Sequence, residues 1–287
     1  MNFSVLVLLF VTLVWGTTFP IIRAATAHLS GAEITAVRFL VAGLCMLPFA
    51  FKASRTAWRD GIILGAVALV SYVTQAVGLE YISSSRSAFI TSLNVLMVPF
   101  LGLLLGSRLR LQIASAAVMA CAGIGLMSWE SGGSLVGDSA TLACALTYAI
   151  YIILLSRRIK AHESRTLAAT QIVAMAVISF VWLLVTHLHG YAMAALFARA
   201  EPVWPSLLYL GVVASAAMLF LQAVGQRHVS AEKAAVIYVM EPVFAALFGW
   251  LWLHETLGLR GFVGGAMVIA AVILGEWRFK SRAMVRQ

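Results

Sequence analysis

The sequence predicts an all-α membrane protein of ten transmembrane helices, arranged as two inverted five-helix repeats. Three observations carry that prediction. Of the 287 residues, 62% are hydrophobic and only 11% are charged, against about 25% charged residues in soluble domains, so a water-facing surface could not be covered. Ten apolar stretches of roughly 20 residues follow one another without the period-two alternation of a barrel strand. Finally, residues 78–109 resemble residues 225–256 without a gap: Gly78, Ser83, Ala88, Ile90, Gly102 and Leu104 meet Gly225, Ser230, Ala235, Ile237, Gly249 and Leu251, and Arg86 falls opposite Lys233.

The apolar spans read as 3–26, 32–51, 61–80, 87–106, 111–129, 137–156, 166–187, 204–224, 233–253 and 259–277. The run from Phe3 to Val14 lacks the basic flank of a signal peptide and reads as a retained first helix. Connections are short, the longest being the stretch near 188–203 with His189, Arg199, Glu201, Pro202 and Pro205. A first repeat is expected over 1–130 and a second over 131–287.

Basic residues set the expected orientation. One side collects Lys52, Arg55, Arg59, Arg108, Arg110, Arg157, Arg158, Lys160, Arg165, Arg227, Lys233, Arg278, Lys280, Arg282 and Arg286, fifteen of the twenty Lys and Arg residues. That bias places both termini in the cytoplasm. Five helices per half is an odd number, so the second half enters the bilayer from the opposite side. The net charge of +9 therefore reads as topology signal rather than as a nucleic-acid surface. Cys45, Cys121 and Cys144 lie in separate apolar spans without ligand spacing and read as small buried residues.

Two related halves in a lipid-embedded chain are the usual plan of a transporter, because rocking one against the other exposes a central site to alternate sides. Glu241-Pro242 lies inside the ninth span. An acid there costs about 2.5–3.5 kcal/mol on insertion scales and should face protein or water. It suits recognition of a substrate amine or a proton site; the alternative is a carboxylate near the helix end, snorkelling or paired with Lys233. Pro242 frees the carbonyl of Tyr238. Asn94 is the equivalent of Glu241 in the fourth span, and Pro99 after it frees the carbonyl of Val95. Polar residues near kinks of matched repeat helices point to a central site, although Asn94 could equally bond a neighbouring helix.

Trp15 and Thr18 share one face of the first span, as Tyr148 and Tyr151 share one face of the sixth. At that depth they would line a cavity or pack in the core, the latter favoured for Tyr151. Gln75 and Gln222 correspond through the repeat, Tyr72 shares a face with Gln75, and Tyr238 stands one turn before Glu241. The amides would bond a substrate across the pseudo-symmetry axis or bond each other's helices. Gln171 is a weaker candidate. Arg38 reads as structural, snorkelling outward or paired with Glu33. The pairs Gly61/Gly65, Gly102/Gly106 and Gly123/Gly125, with Gly261, Gly264 and Gly265, signal close helix contacts. No Walker loop, His-Glu-x-x-His zinc motif or Gly-x-Ser-x-Gly elbow occurs, and no nucleophile or metal cluster supports an intramembrane enzyme.

These residues include a recognisable pattern. Leu13 to Phe19 in the first span and Arg38-Phe39 in the second resemble the drug/metabolite transporter superfamily, of the ten-helix EamA-like type. So do Ala231 to Ala235, Glu241 to Ala245 and His254 to Leu257. Within it the chain is similar to bacterial inner-membrane exporters of amino acids, including the aromatic amino acid exporter type. In the first half Pro99 is shifted and Arg108 replaces the family's acidic residue. The resemblance implies a secondary transporter working by alternating access, with small-molecule substrates, no bound cofactor, and the lipid bilayer as its surroundings. We expect a monomer in the inner membrane that exports amino acids and related amphipathic metabolites, with multidrug or other metabolite efflux as the alternative. The expected substrate contacts are Trp15, Thr18, Tyr72, Gln75, Asn94, Tyr148, Gln222, Tyr238 and Glu241, with Pro99 and Pro242 at gating kinks.

Overall fold

The structure, a computed structural model, describes residues 3–106, 111–127, 134–186, 190–253 and 259–276. Arg108, Arg110, His189, His254 to Leu257 and the basic residues from Arg278 onward lie outside the described residues. Within them the chain is helical and contains no strand. The first span is α1 (Phe3–Gly16) followed by α2 (Thr18–Ala25). The second and third are α3 (Gly31–Ala50) and α4 (Arg55–Tyr81). The fourth is α5 (Ser84–Ser92) and α6 (Asn94–Leu104), and the fifth is α7 (Leu111–Met127). The second half repeats this with α8 (Leu135–Arg158), α9 (Ser164–Thr186), a connecting α10 (Gly190–Ala200) and α11 (Trp204–Leu208). A π-helical stretch, Tyr209–Ala217, then leads into α12 (Met218–Gln226). The chain ends in α13 (Ala231–Tyr238), α14 (Met240–Leu253) and α15 (Leu259–Glu276). Seven of the helical runs are long and apolar enough to cross a bilayer by themselves.

The connection near 188–203, expected to be a loop, contains α10. Its sequence gives the reason: Met193, Leu196 and Ala200 recur at helical spacing among alanines, which favour helix, and Leu196 and Ala200 are buried.

The helix breaks have local causes. Pro20 has no N–H for the Gly16 carbonyl, and the hydroxyls of Thr17 and Thr18 donate to the carbonyls of Val14 and Trp15, each at 2.7 Å. The helix accordingly breaks at Thr17. Pro242 acts in the same way three residues after the break at Val239. In the fourth span the break falls at Leu93, six residues before Pro99, where Ser92 Oγ donates to Ala88 O and Asn94 Nδ2 to Thr91 O. Such local bonds compete with the helical ladder.

The inverted repeat is written in the helix contacts. The third span packs on the sixth (α4 on α8), and its repeat-mate the eighth packs on the first (α12 on α1). The fourth span lies against the sixth, and the ninth against the first; α3 meets α9 and α7 meets α15, each crossing the pseudo-axis. The capping serines also correspond, since Ser83 accepts from Arg86 N and Ser230 from Lys233 N.

Small residues set the closest crossings. A Cβ on Gly65 would lie 2.6 Å from the Gln171 carbonyl oxygen, so α4 and α9 meet backbone to backbone. Gly125 would meet only Phe89, at 3.8 Å. Gly65→Ala is therefore expected to destabilise by about 1–3 kcal/mol through overpacking. Gly125→Ala should be neutral or stabilising by up to about 1 kcal/mol through helix propensity. Melting of the two purified variants in one detergent checks the contrast, and equal shifts would contradict the crossing.

Candidate functional site

The broken helices meet near the middle of the bundle. A Cβ on Gly16, at the end of α1, would lie 2.8 Å from Phe244 Cβ and 3.1 Å from the Glu241 carbonyl oxygen. The first and ninth spans therefore touch beside their breaks. Next to that contact is a narrow cavity of about 30 Å³, lined by Trp15, Thr18, Phe19, Ser71, Tyr72, Gln75, Thr91, Cys144, Tyr148 and Glu241. The first, third, fourth, sixth and ninth spans all contribute.

Six of the nine expected contacts are thus gathered on one wall: Trp15, Thr18, Tyr72, Gln75, Tyr148 and Glu241. Glu241 is 7% exposed, and no described residue offers its carboxylate an ion pair; Lys233 does not meet it. Gln75 is half-buried with its amide directed at no described partner. Trp15, Tyr148 and Tyr238 form an aromatic cluster with ring centroids 5.9–6.2 Å apart. The Trp15 indole is fixed by donating Nε1–H to Ala214 O at 2.8 Å. Ala214 lies in the π-helical stretch, whose wider turn spares a carbonyl.

Three expected contacts stand elsewhere. Gln222 is fully buried and belongs to a hydrogen-bonded layer beside the cavity: its Nε2 donates to Tyr148 Oη, and its Oε1 accepts from Tyr151 Oη, both at 3.2 Å. Tyr151 Oη also accepts from Gln171 Nε2 at 3.2 Å. Tyr238 donates to Gln226 Oε1 at 3.1 Å, and Gln226 Nε2 reaches Ile152 O and Ser156 Oγ at 2.6 and 2.7 Å. Asn94 is buried with Nδ2 on the Thr91 carbonyl and Oδ1 without a partner. Pro99 lies within α6 and Pro242 within the first turn of α14.

The sequence reading missed Phe19, Ser71, Thr91 and Cys144. Helical spacing could have found all four, because Phe19 is four residues after Trp15, Ser71 four before Gln75, Cys144 four before Tyr148 and Thr91 three before Asn94. It also mispaired Glu33. That carboxylate caps α3 with Ser30 and binds Arg199 at 2.5 and 3.1 Å. Arg38, five residues on, points to another face and is buried instead.

The two ends of the bundle are tied by charge. At the end rich in basic residues, Asp60 meets Arg158 and accepts from His162 at 2.9 Å. At the other end Arg86 holds Asp138 through bonds of 2.7 and 2.9 Å. Both pairs join the first half to the second.

The layer and the lining should respond differently to truncation. Gln222→Ala leaves two buried tyrosine hydroxyls short of a partner, a cost of about 1–3 kcal/mol, so melting temperature and transport should fall together. Gln75→Ala should lower transport while leaving melting unchanged. Paired melting and flux assays decide, and a Gln222→Ala protein of unchanged stability would place that amide outside the layer.

Comparison with known proteins agrees with this architecture. The EamA-like transporter family matches residues 2–129 and 135–275. An uncharacterized transporter of Archaeoglobus fulgidus is 30% identical over 269 residues, covering 93% of this chain and 84% of that protein. A probable terminal-alkyne amino-acid exporter of Streptantibioticus cattleyicolor is 26% identical over 282 residues, covering 94% and 92%. A solved crystal structure superposes with a TM-score of 0.72 at 18% identity, over 95% of this chain and 97% of the other, which shows the shared fold. With two matched halves, helices that span a bilayer and relatives that are transporters rather than enzymes, the chain belongs to the EamA-like transporter family.

Proposed function

We propose that this transporter exports amino acids and related amphipathic metabolites by alternating access. The observation that carries the proposal is the unpaired carboxylate of Glu241 in a cavity walled by Trp15, Phe19, Tyr72 and Tyr148. A substrate ammonium would neutralise the acid, and an apolar or aromatic side chain would lie on the rings. Similarity to a probable amino-acid exporter points the same way. The cavity is narrow and has room for about two waters, so an amino acid needs the halves to part before it enters.

The orientation sets which closure faces which side. We place the basic end, with Lys52, Arg55, Arg157, Arg158, Lys160 and Arg227, at the cytoplasmic face of the inner membrane. In that frame Gln222, Tyr148, Tyr151, Tyr238 and Gln226 close the cavity toward the cytoplasm. Separation of this layer would admit substrate, and separation of the Arg86–Asp138 end would release it. The hairpins of the third and fourth spans and of the eighth and ninth spans would act as the gates, bending near Pro99 and Pro242.

Purified protein in liposomes should show saturable flux of threonine, methionine or tryptophan, each competing with the others. Glu241→Gln should lower that flux about tenfold or more, the scale of one lost charge-assisted hydrogen bond, with melting temperature maintained. Flux limited to cationic or neutral drugs would move the reading to efflux of other compounds, and unchanged amino acid flux in Glu241→Gln would remove Glu241 from the site.

A further inference from the structure

Arg38 is a buried charge without a counter-charge. The residue is 2% exposed. Its Nε donates to Ser215 Oγ at 2.9 Å, while Nη2 has no hydrogen-bond partner. No carboxylate among the described residues pairs with it; the acid on its own helix, Glu33, is taken by Arg199. The guanidinium carbon instead rests 4.8 Å from the Tyr72 ring centroid and 5.4 Å from that of Phe39. These faces attract a cation but supply neither a negative charge nor an in-plane acceptor for the free N–H groups.

Its position gives the missing partner a route. Tyr72 is both the surface beneath the guanidinium and part of the cavity wall. The same wall carries the unpaired Glu241. Ser215, which holds Nε, sits in the π-helical stretch beside Ala214, the acceptor for Trp15 of that wall. The bundle thus holds an unmatched anion on the cavity and an unmatched cation one aromatic ring behind it.

We propose that Arg38 is a carboxylate-binding subsite, closed off by Tyr72 in the present conformation and opened when that ring moves. Guanidinium and carboxylate match as a planar two-bond pair. A zwitterionic substrate then spans the wall with its ammonium at Glu241 and its carboxylate at Arg38. This rests on the reading of the cavity as an amino acid site and adds what would select an amino acid over an amine of the same side chain.

The test compares tryptophan with tryptophanamide, which keeps the ammonium and the indole but lacks the carboxylate. Each competes with labelled tryptophan for uptake into liposomes bearing wild-type, Arg38→Gln or Arg38→Lys protein. In the wild type the amide should compete about tenfold or more weakly than the acid, the scale of a charge-assisted bond lost. For Arg38→Gln, read as uptake of labelled tryptophanamide, the preference should collapse toward equality, with amide uptake retained; Arg38→Lys should keep part of the preference. Equal competition by amide and acid in the wild type overturns the subsite, and that arm decides alone if Arg38→Gln does not fold. Retained discrimination in folded Arg38→Gln overturns it as well. Absence of saturable tryptophan flux from wild-type protein is a different result and overturns the amino acid reading itself.

Discussion

The structure depends on one constraint: backbone N–H and C=O groups in a lipid core must find partners inside the protein. A helix satisfies this by itself, so most spans run unbroken. Where the chain departs from the α-helical ladder, at Thr17, Leu93, Val239 and over Tyr209–Ala217, the residues are buried or half-buried except Val212. Threonine and serine hydroxyls take some freed carbonyls, and the Trp15 indole takes Ala214 O. Proline creates the opportunity in the first and ninth spans, and Gly16 lets these two spans touch beside their breaks. The cavity is therefore a consequence of where the backbone is allowed to be irregular.

Polar side chains in the interior fall into two groups by the same logic. Those of the tyrosine–glutamine layer are saturated: Gln222, Tyr151, Gln171, Tyr238 and Gln226 each bond to one another or to a carbonyl. Such a layer ties the sixth, seventh, eighth and ninth spans of the second half to one another and can part only by exchanging these bonds for water or for partners of another state. Of the unsaturated groups, Glu241, Gln75, Thr91 and Arg38 are placed on or directly behind the cavity wall, whereas Ser87 and Asn94 lack a partner away from it. Burial of groups that lack partners is costly, and a ligand that supplies the partners relieves that cost.

Much of this was legible from residues alone. The ten spans follow from apolar run length, and the inverted arrangement from the register shared by Gly78 and Gly225 together with the odd helix count. Trp15, Tyr72, Gln75, Tyr148 and Glu241 could be picked because polar or aromatic residues stood mid-span at helical spacing. The errors have physical reasons. Periodicity cannot say whether a buried amide faces a cavity or a neighbouring hydroxyl, so Gln222 was read as a substrate contact or an interhelical bond and Tyr238 as a contact, whereas both belong to the buried hydrogen-bonded layer. Arg38 was read as snorkelling outward or pairing with Glu33, yet five residues around a helix separates those two faces and the side chain is buried. The break at Leu93 arises from Ser92 and Asn94 bonding locally, whereas the sequence drew attention to Pro99. The helix at Gly190–Ala200 was hidden by the charged and proline-rich residues flanking it.

The central claim is that the cavity beneath Trp15 and Glu241 is open to opposite sides of the membrane in turn. The most direct measurement is labelling of Gln75→Cys, with Cys45, Cys121 and Cys144 replaced by serine, using a membrane-impermeant maleimide in vesicles of each orientation. The account predicts labelling from both sides during turnover and protection by a transported amino acid. A cysteine labelled from one side under all conditions, at a rate that substrate does not alter, would contradict it.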